Sequence, residues 1–139
     1  MRRMLRPVLF GVGLLSATVP VMAHHAFAAE FDAEKPVRLV GTVVRMEWIN
    51  PHSWIHLEVK SAQGKVTRWM IEAAPPNALL RRGFTKNSLP PGTEILVEGY
   101  LAKDGTPTGN GRSLTFADGR RLFLGAQGGD APDDQPREQ

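Results

Sequence analysis

Apolar and polar positions alternate strictly from Trp54 to Val59, with Ile55, Leu57 and Val59 on one side and Trp54, His56 and Glu58 on the other. Successive side chains of a strand point to opposite faces, so this stretch predicts a strand with one core face and one outward face. The Asn50-Pro51 step before it is a turn signal, which sets His52 at the mouth of the strand. A longer first strand is predicted over Val37 to Trp48, with Val40, Thr42, Val44, Met46 and Trp48 on one face and a bulge or sharp coil at Gly41. Ser61 to Lys65 reads as a hairpin loop, and Val66 to Glu72 as the third strand, in which Trp69 shares a face with Thr67 and Ile71.

The period then changes. Pro75 and Pro76 at an entry, a good helix-forming run through Leu79, Leu80 and Arg81, and Gly83 where a C-terminal cap belongs predict one short helix. Leu89 to Thr93 is a turn. Glu94 to Ala102 is a fourth strand, with Ile95 and Val97 opposite Leu96, Glu98 and Tyr100. Lys103 to Gly111 reads as a loop, and Arg112 to Phe116 with Arg120 to Leu124 as a closing strand or hairpin around Ala117-Asp118-Gly119. Residues 126–139 have no apolar period and are expected to be a disordered tail. Three strands, a helix and further strands is the order of a mainly β fold, a small five-stranded Greek-key barrel of the oligonucleotide/oligosaccharide-binding (OB) type with one short helix between strands three and four. The absence of seven regular strands argues against an immunoglobulin-like sandwich. An open twisted antiparallel sheet with one helix against it is the remaining alternative.

Composition changes this picture at the start of the chain. Arg2, Arg3 and Arg6, an uncharged apolar run from Val8 to Val19, Pro20 and then Val21-Met22-Ala23 make residues 1–23 a secretory signal peptide, with cleavage expected after Ala23. Ala26-Phe27-Ala28 offers a competing cut. The expected location is the periplasm. The apolar run is too short to span a membrane, and no later segment is long and apolar enough. Those three arginines account for the whole net charge of +3, so a chain cut after Ala23 is formally neutral. Export and neutrality together argue against a nucleic-acid partner. Residues 24–125 suit one domain, and with no cysteine its stability must come from burial.

Several short motifs stand along this framework: His24-His25-Ala26-Phe27, Glu30-Phe31-Asp32, Asn50-Pro51-His52-Ser53-Trp54, Trp69 with Glu72, Leu80-Arg81-Arg82-Gly83-Phe84 and Lys103-Asp104-Gly105. As a set they resemble a family of short exported bacterial proteins classified as a domain of unknown function. The likeness runs from Ala23 to about Gly125. It implies export and a single β-rich domain, and it implies no activity.

The candidate chemistry lies in the histidines. All four, His24, His25, His52 and His56, fall in two short clusters. Cleavage after Ala23 would give His24 a free α-amine beside its imidazole, and a third nitrogen would complete an N₃ set suited to Cu(II). His52 and His56 in one extended strand are about 13 Å apart at roughly 3.3 Å per residue, so they do not share one ion. The metal candidates are therefore His24 and His52, with His25 next. Met46 and Met70 read as buried strand residues, so a methionine-rich Cu(I) site is not indicated. The alternative is a protein- or glycan-binding surface built from Trp54, His56 and Glu58 without metal. Arginines 81 and 82 complement the helix dipole, and Trp48 reads as a core or rim filler. Glu58 and Glu72 are the one carboxylate pair worth testing as acid and base. Ser53 and His52, adjacent on a strand, face opposite ways and do not form a nucleophile–base pair. Residues 105–111 lack the ending of a phosphate-binding loop. The balance favours a non-catalytic binding module over an enzyme.

Overall fold

A computed structural model describes residues 27–125. The expected leader, His24, His25 and the expected tail lie outside the described residues. A helical turn at residues 27–30 runs into β1 (Phe31–Glu47), followed by β2 (Ser53–Lys60), β3 (Val66–Ala73), a short helix α1 (Pro76–Arg81), β4 (Glu94–Ala102), β5 (Thr108–Phe116) and β6 (Arg121–Phe123). The fold is mainly β. Among the described residues no helix is long and apolar enough to cross a membrane.

One 17-residue strand organises the sheet. The first part of β1, Phe31 to Thr42, pairs with β4, and its last part, Thr42 to Glu47, pairs with β2. A strand that hands over from one neighbour to the other must bend between them. The sheet therefore curls, in the order β3-β2-β1-β4-β5-β6, until β3 meets β5. That last contact is parallel and three pairs long: Met70 opposite Thr108, Ile71 opposite Gly109 and Glu72 opposite Asn110. It completes a ring of hydrogen bonds through five strands, with β6 added outside the ring on β5. Two further backbone bonds extend the seam: the Met70 amide donates to the Pro107 carbonyl at 3.0 Å and the Ala74 amide to the Leu124 carbonyl at 2.7 Å.

Glycine makes the seam possible. A Cβ on Gly111 would lie 2.8 Å from Ile71 Cγ2 and 2.9 Å from Leu124 Cδ1, and one on Gly99 would lie 2.0 Å from the Asn110 carbonyl oxygen. These residues sit in extended strands, so the constraint is space and not backbone angle. Lys103 to Gly111, expected as a loop, is a loop only to Pro107. Thr108 to Gly111 is strand, and its glycines are the price of close approach between β5, β3 and β4.

The ring encloses Val43, Ile55, Leu57, Ile71, Ile95, Val97 and Leu114, all buried. Helix α1 closes one end of this core with Ala78 and Leu79, and Phe84 follows just behind it. The Gly83 amide donates to the Leu80 carbonyl and the Phe84 amide to the Leu79 carbonyl, both at 3.0 Å, with Gly83 at φ +78°. This is a Schellman cap, in which a left-handed glycine lets the last carbonyls of the helix find donors. Trp48 stacks on Phe84 at 6.3 Å between ring centroids, as a rim residue of the core. Arg81 occupies the last helical turn, where its charge complements the dipole. Arg82 departs from that expectation: its guanidinium donates to the carbonyls of Phe123 and Gly125 and lies over the Phe123 ring, tying the helix end to the chain after β6.

Two strand faces differ from the periodic reading. The pairing of β1 with β2 shifts between Val43 and Arg45, and one extra residue reverses which side faces in. Val43, Met46 and Trp48 thus face the core, whereas Val40 is 58% exposed. Gly41 lies ahead of that bulge and is needed where β2 passes, since a Cβ there would come within 2.9 Å of the Glu58 carbonyl oxygen. Tyr100, on the side opposite Ile95 and Val97 as its spacing predicts, is buried outside the main core, against the Phe27 ring. Met70, expected inside, is 39% exposed because its neighbour Ile71 takes the inward position.

Substituting Gly99 by Ala forces a methyl group against the Asn110 carbonyl across the β4–β5 pairing and should cost about 1–3 kcal/mol, the usual range for overpacking. Urea unfolding would read this as a lower midpoint at unchanged slope. An unchanged midpoint would mean that the close approach of β4 and β5 contributes little to stability.

Candidate functional site

Glu72 is the most deeply placed carboxylate among the described residues, 8% exposed at the last pair of the β3–β5 seam. It faces outward beside Trp54, its partner in the β2–β3 pairing, and opposite Asn110 across the seam. His52 precedes β2 at the turn after the cis Asn50–Pro51 peptide. Its Nδ1 lies 3.0 Å from Glu72 Oε1, and Asn110 Nδ2 donates to the same oxygen at 3.3 Å. Burial pushes the Glu72 carboxyl above its ordinary 4.5, and the Glu30 charge nearby pushes the same way, against the pull of His52 and the Asn110 amide. Two donors thus hold a carboxylate that burial alone would disfavour. With Nδ1 engaged and the His52 side chain 38% exposed, Nε2 is the ring nitrogen that remains for a ligand.

The N-terminal segment is anchored over this region. The Phe27 ring meets Tyr100 edge-on at 5.6 Å and Phe31 at 5.8 Å. The Lys103 amide donates to the Glu30 carbonyl at 2.9 Å, and its ammonium donates to the Ala28 carbonyl. His24 and His25, outside the described residues, directly precede this turn in sequence.

Trp54, His56 and Glu58 share the outward face of β2, but their surroundings separate them. His56 Nε2 lies 3.1 Å from Glu47 Oε1, which Arg45 also reaches at 2.7 Å. Glu58 takes Arg68 from the facing strand at 3.1 Å. His56 borders a cavity of about 280 Å³ with Arg45, Arg68 and Trp69, whereas Trp54 borders another of about 500 Å³ beside Glu30 and Lys103. Trp54 and His56 thus border different cavities, although they share one strand face.

Other pairings resolve through the register. Glu58 faces Arg68 whereas Glu72 faces Trp54, so the two glutamates stand four positions apart along the sheet, about 13 Å, and form no acid–base pair. Ser53 turns inward opposite Ala73, with its buried Oγ lacking a hydrogen-bond partner, while His52 meets Glu72. Among the described residues no group of three His, Cys, Asp or Glu side chains is arranged to hold a metal ion.

Sequence reasoning missed Asn110 and the pairing of Glu72 with His52. The alternation Trp69-Met70-Ile71-Glu72 does place Glu72 on the opposite side from Ile71, outward with Met70. Asn110, between Gly109 and Gly111, carries no strand signal, and only the seam brings it to Glu72.

Fold and site together define a small β domain whose polar cluster sits on its closing seam. The chain belongs to a family of unknown function (DUF6152), whose profile matches residues 12–112. No curated protein and no solved structure matches it.

The raised carboxyl of Glu72 has a consequence for stability. A folded-state value above the unfolded one means that the folded chain holds the proton more tightly, so stability is greater at low pH and falls as pH rises from about 4.5 through the folded value. Glu72→Gln lacks that titration. The wild-type stability minus that of the variant should therefore fall with rising pH in urea unfolding series. A difference that grows with pH would show that His52 and Asn110 outweigh burial.

Proposed function

We propose that this chain is an exported, non-catalytic binding module of the periplasm, built on an OB-like barrel, that holds one transition-metal ion, Cu(II) by its ligand chemistry. The barrel assignment is supported by the five-strand circuit and by a helix between β3 and β4. The metal reading rests on His52. A histidine whose Nδ1 meets a buried carboxylate has a fixed ring, the arrangement that commonly orients a metal ligand from behind. Cleavage after Ala23 adds the α-amine and imidazole of His24, close in sequence to the turn packed on the same seam. His25 is the further nitrogen donor. Amine and imidazole donors without thiolate favour Cu(II) over softer ions.

A protein- or glycan-binding surface of Trp54, His56 and Glu58 has less support, since His56 and Glu58 already have charged partners.

Intact mass of the exported protein, taken before and after one equivalent of Cu(II) in a non-chelating buffer, tests the reading. The expected result is an N-terminus at His24 and one retained copper, with retention abolished by His52→Ala. An N-terminus at Ala29, or copper retained equally by His52→Ala, would sink it. Glu72→Gln, which keeps the shape but weakens the support, should lower affinity about 10-fold or more, as loss of an outer-shell partner does.

A further inference from the structure

The larger cavity gathers, from three of the motifs, residues that the metal reading does not use. Glu30 and Phe31 come from the turn into β1, Trp54 from β2, and Lys103, Asp104 and Thr108 from the β4–β5 connection and the start of β5. At about 500 Å³ it lies within the roughly 300–1,000 Å³ of small-molecule sites. Trp54, half-buried, supplies flat apolar surface, Phe31 is buried behind the wall, and the polar groups are of both hydrogen-bonding kinds. The Lys103 ammonium has three protons and gives one to the Ala28 carbonyl. Asp104 accepts the Thr106 amide and hydroxyl on Oδ1, at 2.9 and 2.7 Å, which leaves Oδ2 as an acceptor. Those contacts lower the Asp104 carboxyl below its ordinary value and keep it ionised. Glu30 adds a second carboxylate.

A cationic ligand would need only acceptors here, and an anionic one only donors. A hydroxyl is both at once, and a ring carrying neighbouring hydroxyls on its edge and C–H groups on its face matches an aromatic plate flanked by an ammonium and two carboxylates. We propose that this cavity is a binding site for a neutral saccharide, which lays one sugar face on Trp54 and brings adjacent hydroxyls to Lys103, Asp104 and Glu30. It requires no metal and does not rest on the copper reading.

The test uses the whole mature protein, stripped of metal with EDTA and ¹⁵N-labelled. Maltotriose, cellotriose and chitotriose are titrated separately while the three tryptophan indole N–H resonances are followed, Trp54 being assigned from Trp54→Phe. At least one sugar should shift the Trp54 resonance with a Kd of about 1 mM or tighter, equivalent to about −4 kcal/mol. Asp104→Asn, which keeps the side-chain volume, should weaken that binding about 10-fold while the remaining spectrum stays native. If none of the three sugars moves the Trp54 resonance, the proposal is wrong. It is equally wrong if Asp104→Asn binds as well as wild type, or if tetramethylammonium moves the resonance and the sugars do not, which would assign the cavity to a cation.

Discussion

The three-pair parallel contact between β3 and β5 is the constraint on which the rest of this protein depends. Without it the sheet would be an open ribbon, with the far edge of β3 unpaired and Ile71 at a margin. With it, Ile71 is fully buried among Ile55, Leu57, Val97 and Leu114, and the inner faces of five strands share one core. A parallel pair needs a long connection, and the chain supplies one through α1, the following turn and β4. Gly109 and Gly111 let β5 approach its neighbours there, and they contribute no side chain to the core.

The same seam creates the polar chemistry. Outward side chains of β2, β3 and β5 are aligned there as Trp54, Glu72 and Asn110, residues far apart in the chain. A glutamate in such a place would be disfavoured by desolvation, and the structure answers with His52 and Asn110 as donors on one carboxylate oxygen. Support runs both ways: the carboxylate fixes the imidazole, and the imidazole helps the carboxylate bear its charge. The N-terminal turn, held by Phe27 on Tyr100 and by Lys103 on the backbone of residues 28 and 30, brings the Glu30 charge into the same neighbourhood. One end of the domain thus concentrates an exposed imidazole nitrogen, a supported buried carboxylate and a cavity walled by Trp54.

The opposite stretch of the β1–β3 outer face is chemically quieter. His56, Glu47 and Arg45 satisfy one another, as do Glu58 and Arg68. Exposed pairs of this kind contribute roughly 0–1 kcal/mol each, so they are better understood as neutralising a polar face than as holding the fold together.

The sequence by itself determined every element whose signal is local. The alternation in β2 and β3, the proline entry and glycine exit of α1, and the apolar run of β4 each depend on residues a few positions apart, and each element lies where the pattern puts it. The tertiary structure alone decided which way β1 faces beyond Val43, because a bulge shifts the period by one and leaves no mark in an apolar count. It also decided that Thr108 to Gly111 is a strand: a Gly-Asn-Gly run has no intrinsic β preference and becomes extended only where the ring needs residues small enough to close. His52 was legible as a candidate from its position at a turn. Its partner was not, since the 3.0 Å contact with Glu72 exists only because the β2–β3 register brings the end of β3 beside the start of β2.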